Sequence, residues 1–341
     1  MTARDLVSSS HLSTGGTDHS SRPDIDAQRL LPWPSIDVVI PTFNCAANLE
    51  RCLRAVRDQR YGGQIEVIVV DGGSTDGTID VASRFRAAVF VNPGQYGTGR
   101  SGARHFGERQ GKGELVWCLD SDNHLVGSEV AQALVRPFLD EPGVAFAVPL
   151  TAEDPTAAPF ANWFAVDEVE QLTRIGESSR KNAGAWIVPD MMYGLSNACL
   201  IRRDVLEFAG GYDSDVRLLR RLRVAHLSKA AIVPAARFYH NQTRGVLDFC
   251  RKWTQRIVFY ARLSDTELAA HFVELPTSPE TRGERVLVIV RRMARSFLRP
   301  PVQFARSGDP AWLAGLAYVP ALLLILLRHP FAARRVIKRL L

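Results

Sequence analysis

The chain has 341 residues, of which 46% are hydrophobic and 23% are charged, an ordinary composition for a globular protein with a sizeable core. Its five cysteines are odd in number and form no Cys-x-x-Cys pair, which argues against a disulfide framework or a zinc site. This cysteine pattern favours a reducing compartment, and because the N-terminus has no apolar stretch of the kind found in secretory signal peptides, we expect no such peptide.

The net charge of +6 is unevenly distributed along the chain. Residues 282–341 contain 12 Lys and Arg against two acidic residues, whereas the rest of the chain has 30 basic and 34 acidic residues. A basic segment of this kind favours contact with an anionic surface. Because the main body is acidic, we expect that surface to be a membrane and not nucleic acid.

The chain opens with residues 1–33, which are rich in Ser, Thr, Gly and Asp and are predicted to be a disordered tail. Apolar runs and helical spacing then predict strands and an amphipathic helix in alternation. The predicted strands cover 36–40, 65–70, 88–91 and 114–118, and the helix covers 46–58. This alternation is typical of an open, mostly parallel α/β sheet, in which ligands bind beyond the carboxyl ends of the strands.

Asp120 and Asp122 follow the last of these apolar runs, with a single serine between them. Two carboxylates this close raise each other's pKa unless a cation or hydrogen-bond donors compensate, and a hard divalent ion does so readily. The alternative is a solvated loop in which Asp122 or Asn123 caps the next helix. The pattern therefore indicates a candidate metal site at a strand end.

Four segments form a recognisable series: Val38-Val-Ile-Pro-Thr-Phe-Asn44, Val69-Val-Asp-Gly-Gly-Ser-Thr-Asp-Gly-Thr78, Gly99-Arg-Ser-Gly-Ala-Arg104 and Leu119-Asp-Ser-Asp122. In order and spacing they resemble the family 2 glycosyltransferases over residues 36–125, and more weakly to about 260. The resemblance implies a GT-A fold, a Rossmann-like, mostly parallel sheet with flanking helices, over residues 34–265. It also implies a nucleotide-diphospho-sugar as donor.

The same resemblance implies which residues form the donor and metal sites. Pro41, Thr42, Phe43 and Asp71 would hold the nucleotide, although Asp71 also fits an Asx turn that shapes its own glycine-rich loop. The metal ligands for Mg²⁺ or Mn²⁺ would be Asp122, Asp120 and His240, with Asp120 also at the ribose. We prefer His240 to His124, which we expect to be an exposed loop residue.

Arg100 and Arg104 would offer positive charge to the donor diphosphate, or would simply cover a helix face. A second interpretation of this region exists, because Gly97-Thr-Gly-Arg-Ser-Gly102 matches the glycine pattern of dinucleotide-binding folds. That motif should lie tightly between the first strand and its helix, whereas here it follows the third strand. The transferase interpretation is therefore favoured.

The acceptor side of the site is less clearly marked. Gly210-Gly-Tyr-Asp213 resembles a turn of the family that a longer loop and a Glu-Asp pair usually follow, but here that loop is shortened. Aligning the next helix places Asp215 at the general-base position, with Asp213 as the second choice, while both also fit a helix N-terminus. Asn197 is a candidate acceptor contact.

Residues 266–341 form a basic, apolar appendage. A basic amphipathic helix is predicted around 286–299, and residues 310–327 lack charge but contain Pro320. Because both flanks of this run are basic, a re-entrant hairpin on the cytoplasmic leaflet is favoured over a single span or a buried subunit interface.

These observations predict a metal-dependent, inverting, membrane-associated glycosyltransferase of cell envelope glycan biosynthesis, at the cytoplasmic face of the cell membrane. Its acceptor would be lipid-linked or a glycan, with no nucleic-acid partner. The shortened base loop motivates an alternative, a catalytically impaired nucleotide-sugar-binding partner of a membrane enzyme.

Overall fold

A computed structural model describes residues 33–182, 184–191, 198–240 and 245–262, together with residues 301, 305, 315–317 and 320. The strands are β1 (Ile36–Thr42), β2 (Ile65–Asp71), β3 (Ala88–Val91), β4 (Leu115–Cys118), β5 (Asn123–Leu125), β6 (Phe146–Ala152), β7 (Arg180–Asn182), β8 (Ala185–Val188), β9 (Leu200–Arg202) and β10 (Ala230–His240). The helices are α1 (Ala46–Arg57), α2 (Thr78–Arg84), α3 (Arg100–Glu108), α4 (Val130–Asp140), α5 (Pro159–Glu177), α6 (Arg203–Phe208), α7 (Asp215–Val224) and α8 (Val246–Arg262).

The described strands form one mixed sheet in the order β3-β2-β1-β4-β9-β6-β10-β8-β7, with β5 paired to β10. Strands β3, β2, β1 and β4 are parallel, as predicted. The expectation of a mostly parallel sheet is wrong for the second half, because β9 enters antiparallel between β4 and β6. The hairpin of β7 and β8 adds two further antiparallel pairs beside β10.

The sheet is buried on both faces because alternate side chains of its central strands point into two separate cores. Val38, Ile40 and Trp117 pack with α1 and α4 on one face. Val39 and Val116 pack with α5, α6 and α7 on the other. A sheet covered on both faces requires the near-continuous apolar runs from which its strands were predicted.

The early elements match the sequence prediction to within one or two residues. One difference is that β1 continues through Pro41 to Thr42, whereas proline was expected to stop it. The pairing of β1 with β4 ends at Val39, opposite Cys118, so Pro41 has a ladder neighbour only in β2. Proline has no backbone N–H to donate, and it is tolerated at a position where the strand has a neighbour on one side only.

Residues 1–32, the amphipathic segment 286–299 and most of the uncharged run 310–327 lie outside the described residues. Within the part of the chain that is described, no helix combines the length and the apolar character needed to cross a bilayer. A 3-10 turn at Gly315–Ala317 contacts the long helix α5.

Candidate active site

The candidate site lies where parallel strands β1, β2 and β4 end at one edge of the sheet. Pairing of β1 with β2 places Thr42 opposite Asp71 at that edge. On the other side, β5 pairs with the end of β10, so that Asn123 lies opposite His240. The segments around Asp71, Asp120 and His240, which are far apart in sequence, therefore meet at the carboxyl edge, as expected for an open α/β sheet.

Asp71 is fully buried, and its carboxylate is satisfied by its own loop and by Thr42. Oδ2 accepts hydrogen bonds from the backbone N–H groups of Gly73 and Ser74, at 2.9 and 2.7 Å. Oδ1 accepts from the hydroxyls of Thr42 and Ser74, at 2.9 and 2.6 Å. Burial opposes the charge, but these bonds bring the pKa of Asp71 below its usual value. The Asx-turn role is confirmed, and contact with a nucleotide stays a prediction.

The end of β1 presents an exposed ring beside this turn. Thr42 is buried, and its carbonyl accepts the Gly72 N–H at 2.9 Å, which ties the two strand ends together. Phe43, one residue further, is 64% exposed. An exposed aromatic face at a strand end suits stacking on a planar base. The predicted roles of Pro41 and Phe43 at a nucleotide remain predictions with a compatible geometry.

Asp120, Asp122 and His240 form the candidate metal centre. One ligand atom from each lies within 4.8 Å of the others, and His240 Nε2 is 3.7 Å from Asp122 Oδ1. The turn between the carboxylates is held by Asn123, whose side chain accepts the Asp120 N–H at 2.8 Å. Two carboxylates and an imidazole are a suitable donor set for a divalent ion such as Mg²⁺ or Mn²⁺.

The two carboxylates of this centre have opposite electrostatic environments. Burial alone would raise the pKa of Asp120, but Arg100 and Arg104, each 2.8 Å away, lower it to about 2. Burial raises the pKa of Asp122, the nearby charge of Asp120 raises it further, and His240 offsets this in part. Asp122 is therefore the carboxylate that a bound cation would stabilise most.

Arg100 and Arg104 differ in exposure, which corrects one prediction. The Arg100 side chain is 45% exposed and lies 3.7 Å from Asp215 as well as 2.8 Å from Asp120. Arg104 is fully buried beneath the same two carboxylates, with its guanidinium 2.8 Å from Asp120 and 3.4 Å from Asp215. Because its side chain has no exposed surface, Arg104 does not cover a solvent-facing helix surface, whereas its contribution of charge to a donor diphosphate stays a prediction. Arg100 remains a candidate for the diphosphate.

The structure also separates the two candidate bases. Asp215 is the first residue of α7 and faces Arg100 and Arg104. Asp213 instead receives two hydrogen bonds of 2.8 Å from Arg221, which outweigh burial and lower its pKa. The N-cap of α7 is Ser214, whose hydroxyl accepts the Arg217 N–H. The geometry thus favours Asp215 over Asp213, and neither is the capping residue.

His124 is a second correction. The expected exposed loop residue is 4% exposed and lies in β5, because Asn123–Leu125 pairs with β10. Burial lowers the pKa of its imidazole to about 4, and it lies outside the three-residue metal group. Asn197, the candidate acceptor contact, falls outside the described residues.

Two residues of the site region went unrecognised in the sequence. Tyr212 was noted only as part of a turn, yet its hydroxyl reaches Asp215. Glu108 is buried at the end of α3, where its carboxylate accepts the Tyr212 N–H at 3.1 Å. Burial raises the pKa of Glu108 to about 8. The only available signal was an acidic residue on the otherwise buried face of a short helix.

The segment 97–102 lies in the loop before α3 and in its first turn, after the third strand. Gly102 lies against this loop, since an added Cβ would be 2.2 Å from the Gly97 carbonyl oxygen. The last glycine of the motif thus packs closely against its own loop, and the motif follows β3 and not the first strand, so its position does not fit the dinucleotide-binding interpretation.

Three comparisons with known proteins are informative. Glycosyltransferase AglE of Haloferax volcanii is 38% identical over 95 residues, 26% of this chain and 31% of that protein. The GalNAc(5)-diNAcBac-PP-undecaprenol beta-1,3-glucosyltransferase of Campylobacter jejuni is 31% identical over 108 residues, 30% and 34% of the two chains. The chain thus spans about a third of the length of these curated relatives.

Among solved structures, the mannosyltransferase PcManGT from Pyrobaculum calidifontis, in complex with GDP-Man and Mn²⁺, is similar to this chain with a TM-score of 0.48. It is 17% identical, and the similarity covers 88% of this chain and 89% of that one. A family model described as glycosyl transferase family 2 matches residues 37–208, the part that contains β1 to β9 and the Asp120–Asp122 turn. The chain belongs to glycosyl transferase family 2.

Proposed function

We propose that this protein transfers a sugar from a nucleotide-diphospho-sugar to an acceptor hydroxyl or phosphate, with a divalent ion and with inversion at the anomeric carbon. The observation that carries the proposal is the convergence of Asp120, Asp122 and His240 within 4.8 Å at the carboxyl edge of the sheet. Family membership over residues 37–208 supports the reaction class.

In this proposal Asp122, Asp120 and His240 hold Mg²⁺ or Mn²⁺. When bound, the ion neutralises charge on the leaving nucleoside diphosphate. Arg100 lies 2.8 Å from Asp120, and because its side chain is 45% exposed it adds a solvent-accessible cationic hydrogen-bond donor to the site. The exposed ring of Phe43 and the neighbouring β1 end would receive the nucleotide.

Asp215 is the proposed general base. The acceptor hydroxyl must lose a proton as it attacks, and a carboxylate beside the leaving-group site can take it. Asp215 meets this requirement because its side chain is 24% exposed and lies 3.7 Å from Arg100, which also contacts Asp120. One base acting on the acceptor is what a direct displacement with inversion needs.

The acceptor is proposed to be lipid-linked and the protein to act at the cytoplasmic face of the cell membrane, in envelope glycan synthesis. The surplus of basic residues over 282–341 supports this, as does the relative that carries PP-undecaprenol in its name. Full-length protein should co-sediment with vesicles containing anionic phospholipid at low salt, and much less with neutral vesicles. Equal recovery with both vesicle types would refute the electrostatic part of this proposal.

A thermal-shift panel tests the donor site directly. UDP-, GDP- and dTDP-sugars are each added with and without Mn²⁺, because a ligand specific for the folded state raises the Tm by mass action. We expect a metal-dependent shift with one nucleotide class, and its loss in Asp122→Ala.

The matched control is Glu66→Ala, which removes an exposed carboxylate at the opposite end of β2 and should keep the shift. A folded protein without any shift, and without release of nucleoside diphosphate, would contradict the enzyme proposal. A shift without release of nucleoside diphosphate would favour the alternative, a catalytically impaired nucleotide-sugar-binding partner.

A further inference from the structure

Tyr212 places a buried hydroxyl directly on the proposed base. The residue is fully buried, and its hydroxyl donates a hydrogen bond to Asp215 Oδ1. The same hydroxyl oxygen accepts an N–H from Arg104, at 2.9 Å. Arg104 also donates to Asp215 Oδ1, at 3.4 Å. One carboxylate oxygen is therefore held by two donors that have no exposed surface.

The tyrosine itself is fixed from two sides. Its backbone N–H is held by the Glu108 carboxylate at 3.1 Å, and the Arg104 guanidinium lies 5.1 Å from the centre of its ring. The preceding Gly211 has φ of 91°, and an added Cβ would lie 2.4 Å from Glu108 Oε1. The turn can thus approach α3 closely only with glycine at this position.

This arrangement is not needed to start α7. Ser214 already caps the helix through its hydroxyl, as described above, and Asp215 is the residue after the cap. A phenylalanine at position 212 would fill nearly the same volume in the core. The hydroxyl of Tyr212 is therefore best explained by the group that it contacts, the Asp215 carboxylate.

We infer that Tyr212 is a positioning residue for the general base. By holding Oδ1 of Asp215, it leaves Oδ2 as the oxygen that faces Arg100 at 3.7 Å and can take the acceptor proton. The inference rests on the proposed function, because it assumes that Asp215 acts as the base.

The test is Tyr212→Phe, with Tyr61→Phe as the matched control. Tyr61 also uses its hydroxyl in one structural hydrogen bond, 2.5 Å to the Pro34 carbonyl, at the start of β1 and away from the site. The probe is the nucleotide sugar that gives the thermal shift, with Mn²⁺ and with water as acceptor. Release of the nucleoside diphosphate is followed at varied donor concentration.

We expect kcat of Tyr212→Phe to fall about tenfold or more, while the donor KM and the donor-induced thermal shift stay within twofold of wild type. In an Asp215→Asn background the same change should cause no further loss, since the two residues act as a unit. Tyr61→Phe should leave kcat unchanged.

An unchanged kcat in Tyr212→Phe would overturn the inference, as would a parallel change of kcat, KM and thermal stability in both tyrosine variants. If wild-type protein gives neither thermal shift nor turnover, the proposed function fails and this inference fails with it. If wild type turns over and Tyr212→Phe does so equally, only the inference fails.

Discussion

Two acidic turns lie at the same edge of the sheet, one at the end of β2 and one after β4. In the first, Asp71 is satisfied within a few residues of its own position and by the neighbouring Thr42. In the second, Asp120 depends on two arginines that enter from α3. The first turn is electrostatically complete, whereas the second depends on other elements of the fold.

In the second turn, the charge of Asp122 is not fully compensated by the protein. Burial and the nearby charge of Asp120 raise the pKa of Asp122, although the His240 imidazole 3.7 Å away offsets this in part, whereas the pKa values of Asp71 and Asp120 are lowered. A carboxylate that the protein leaves undercompensated is one that a bound cation would stabilise. The comparison therefore indicates why the turn after β4, and not the turn after β2, is the candidate metal site.

Asp120→Asn should have the largest effect on stability. It leaves the fully buried Arg104 without its closest carboxylate, and breaking a buried ion pair from one side costs about 3–5 kcal/mol. For a domain of this size that corresponds to a fall in Tm of about 10 °C.

The matched control for this prediction is Asp122→Asn, the same change two residues away. It removes a charge that burial disfavours, so the Tm without divalent ions should be equal to or above that of wild type. Thermal unfolding of both variants in EDTA measures the contrast. Equal losses of stability in the two variants would contradict the proposed difference between the carboxylates.

Asp71→Ala should have an intermediate effect, because it removes the acceptor for two backbone N–H groups and two hydroxyls. Some of these donors can reach water, so we expect a loss of about 2 kcal/mol in the free energy of unfolding by urea. Asp71→Asn should lose less, since the amide keeps one acceptor oxygen. A wild-type unfolding curve for Asp71→Ala would show that the loop does not depend on this carboxylate.

Glu108→Gln should have the smallest effect near pH 5, and its effect should grow as the pH rises. Burial raises the pKa of Glu108 to about 8, even with Arg109, Arg203 and Arg221 nearby. The folded state therefore binds a proton that the unfolded state releases above its ordinary pKa, and wild-type stability falls as the pH rises toward 8. The glutamine side chain does not ionise, so the stability of the variant lacks this dependence on pH.

The measurement is the Tm of both proteins between pH 5 and pH 8.5. The two should agree near pH 5, and the variant should be higher by about 10 °C at pH 8.5, since a pKa raised from 4.5 to about 8 is linked to about 4–5 kcal/mol. A constant difference across this range would mean that Glu108 is ionised in the folded protein throughout.

Much of the parallel half of the fold can be predicted from local patterns. The strand Ala88–Val91 and the helix that begins at Ala46 were expected at those positions. Apolar residues at the spacing of a strand or a helix define such elements locally, even where the strand is half exposed as β3 is, and parallel topology then places Asp71 and Asp120 at one edge. The order of four short motifs was enough to indicate the family.

The second half of the sheet, from β5 to β10, could not be predicted in the same way. The position of β9 between β4 and β6, and the pairing that buries His124, depend on contacts between segments more than 50 residues apart in the chain. Such pairings leave no periodic signal in a single segment. The mixed character of the sheet was therefore missed.

The sequence by itself determined the strands, their polar ends and the residue types available for metal, diphosphate and base. The tertiary structure alone decided how these groups compensate one another: it buried Arg104 under Asp120 and turned Tyr212 onto Asp215. The physical reason is that a charge or hydroxyl acquires its role from the few groups within about 4 Å, and those groups come from distant parts of the chain.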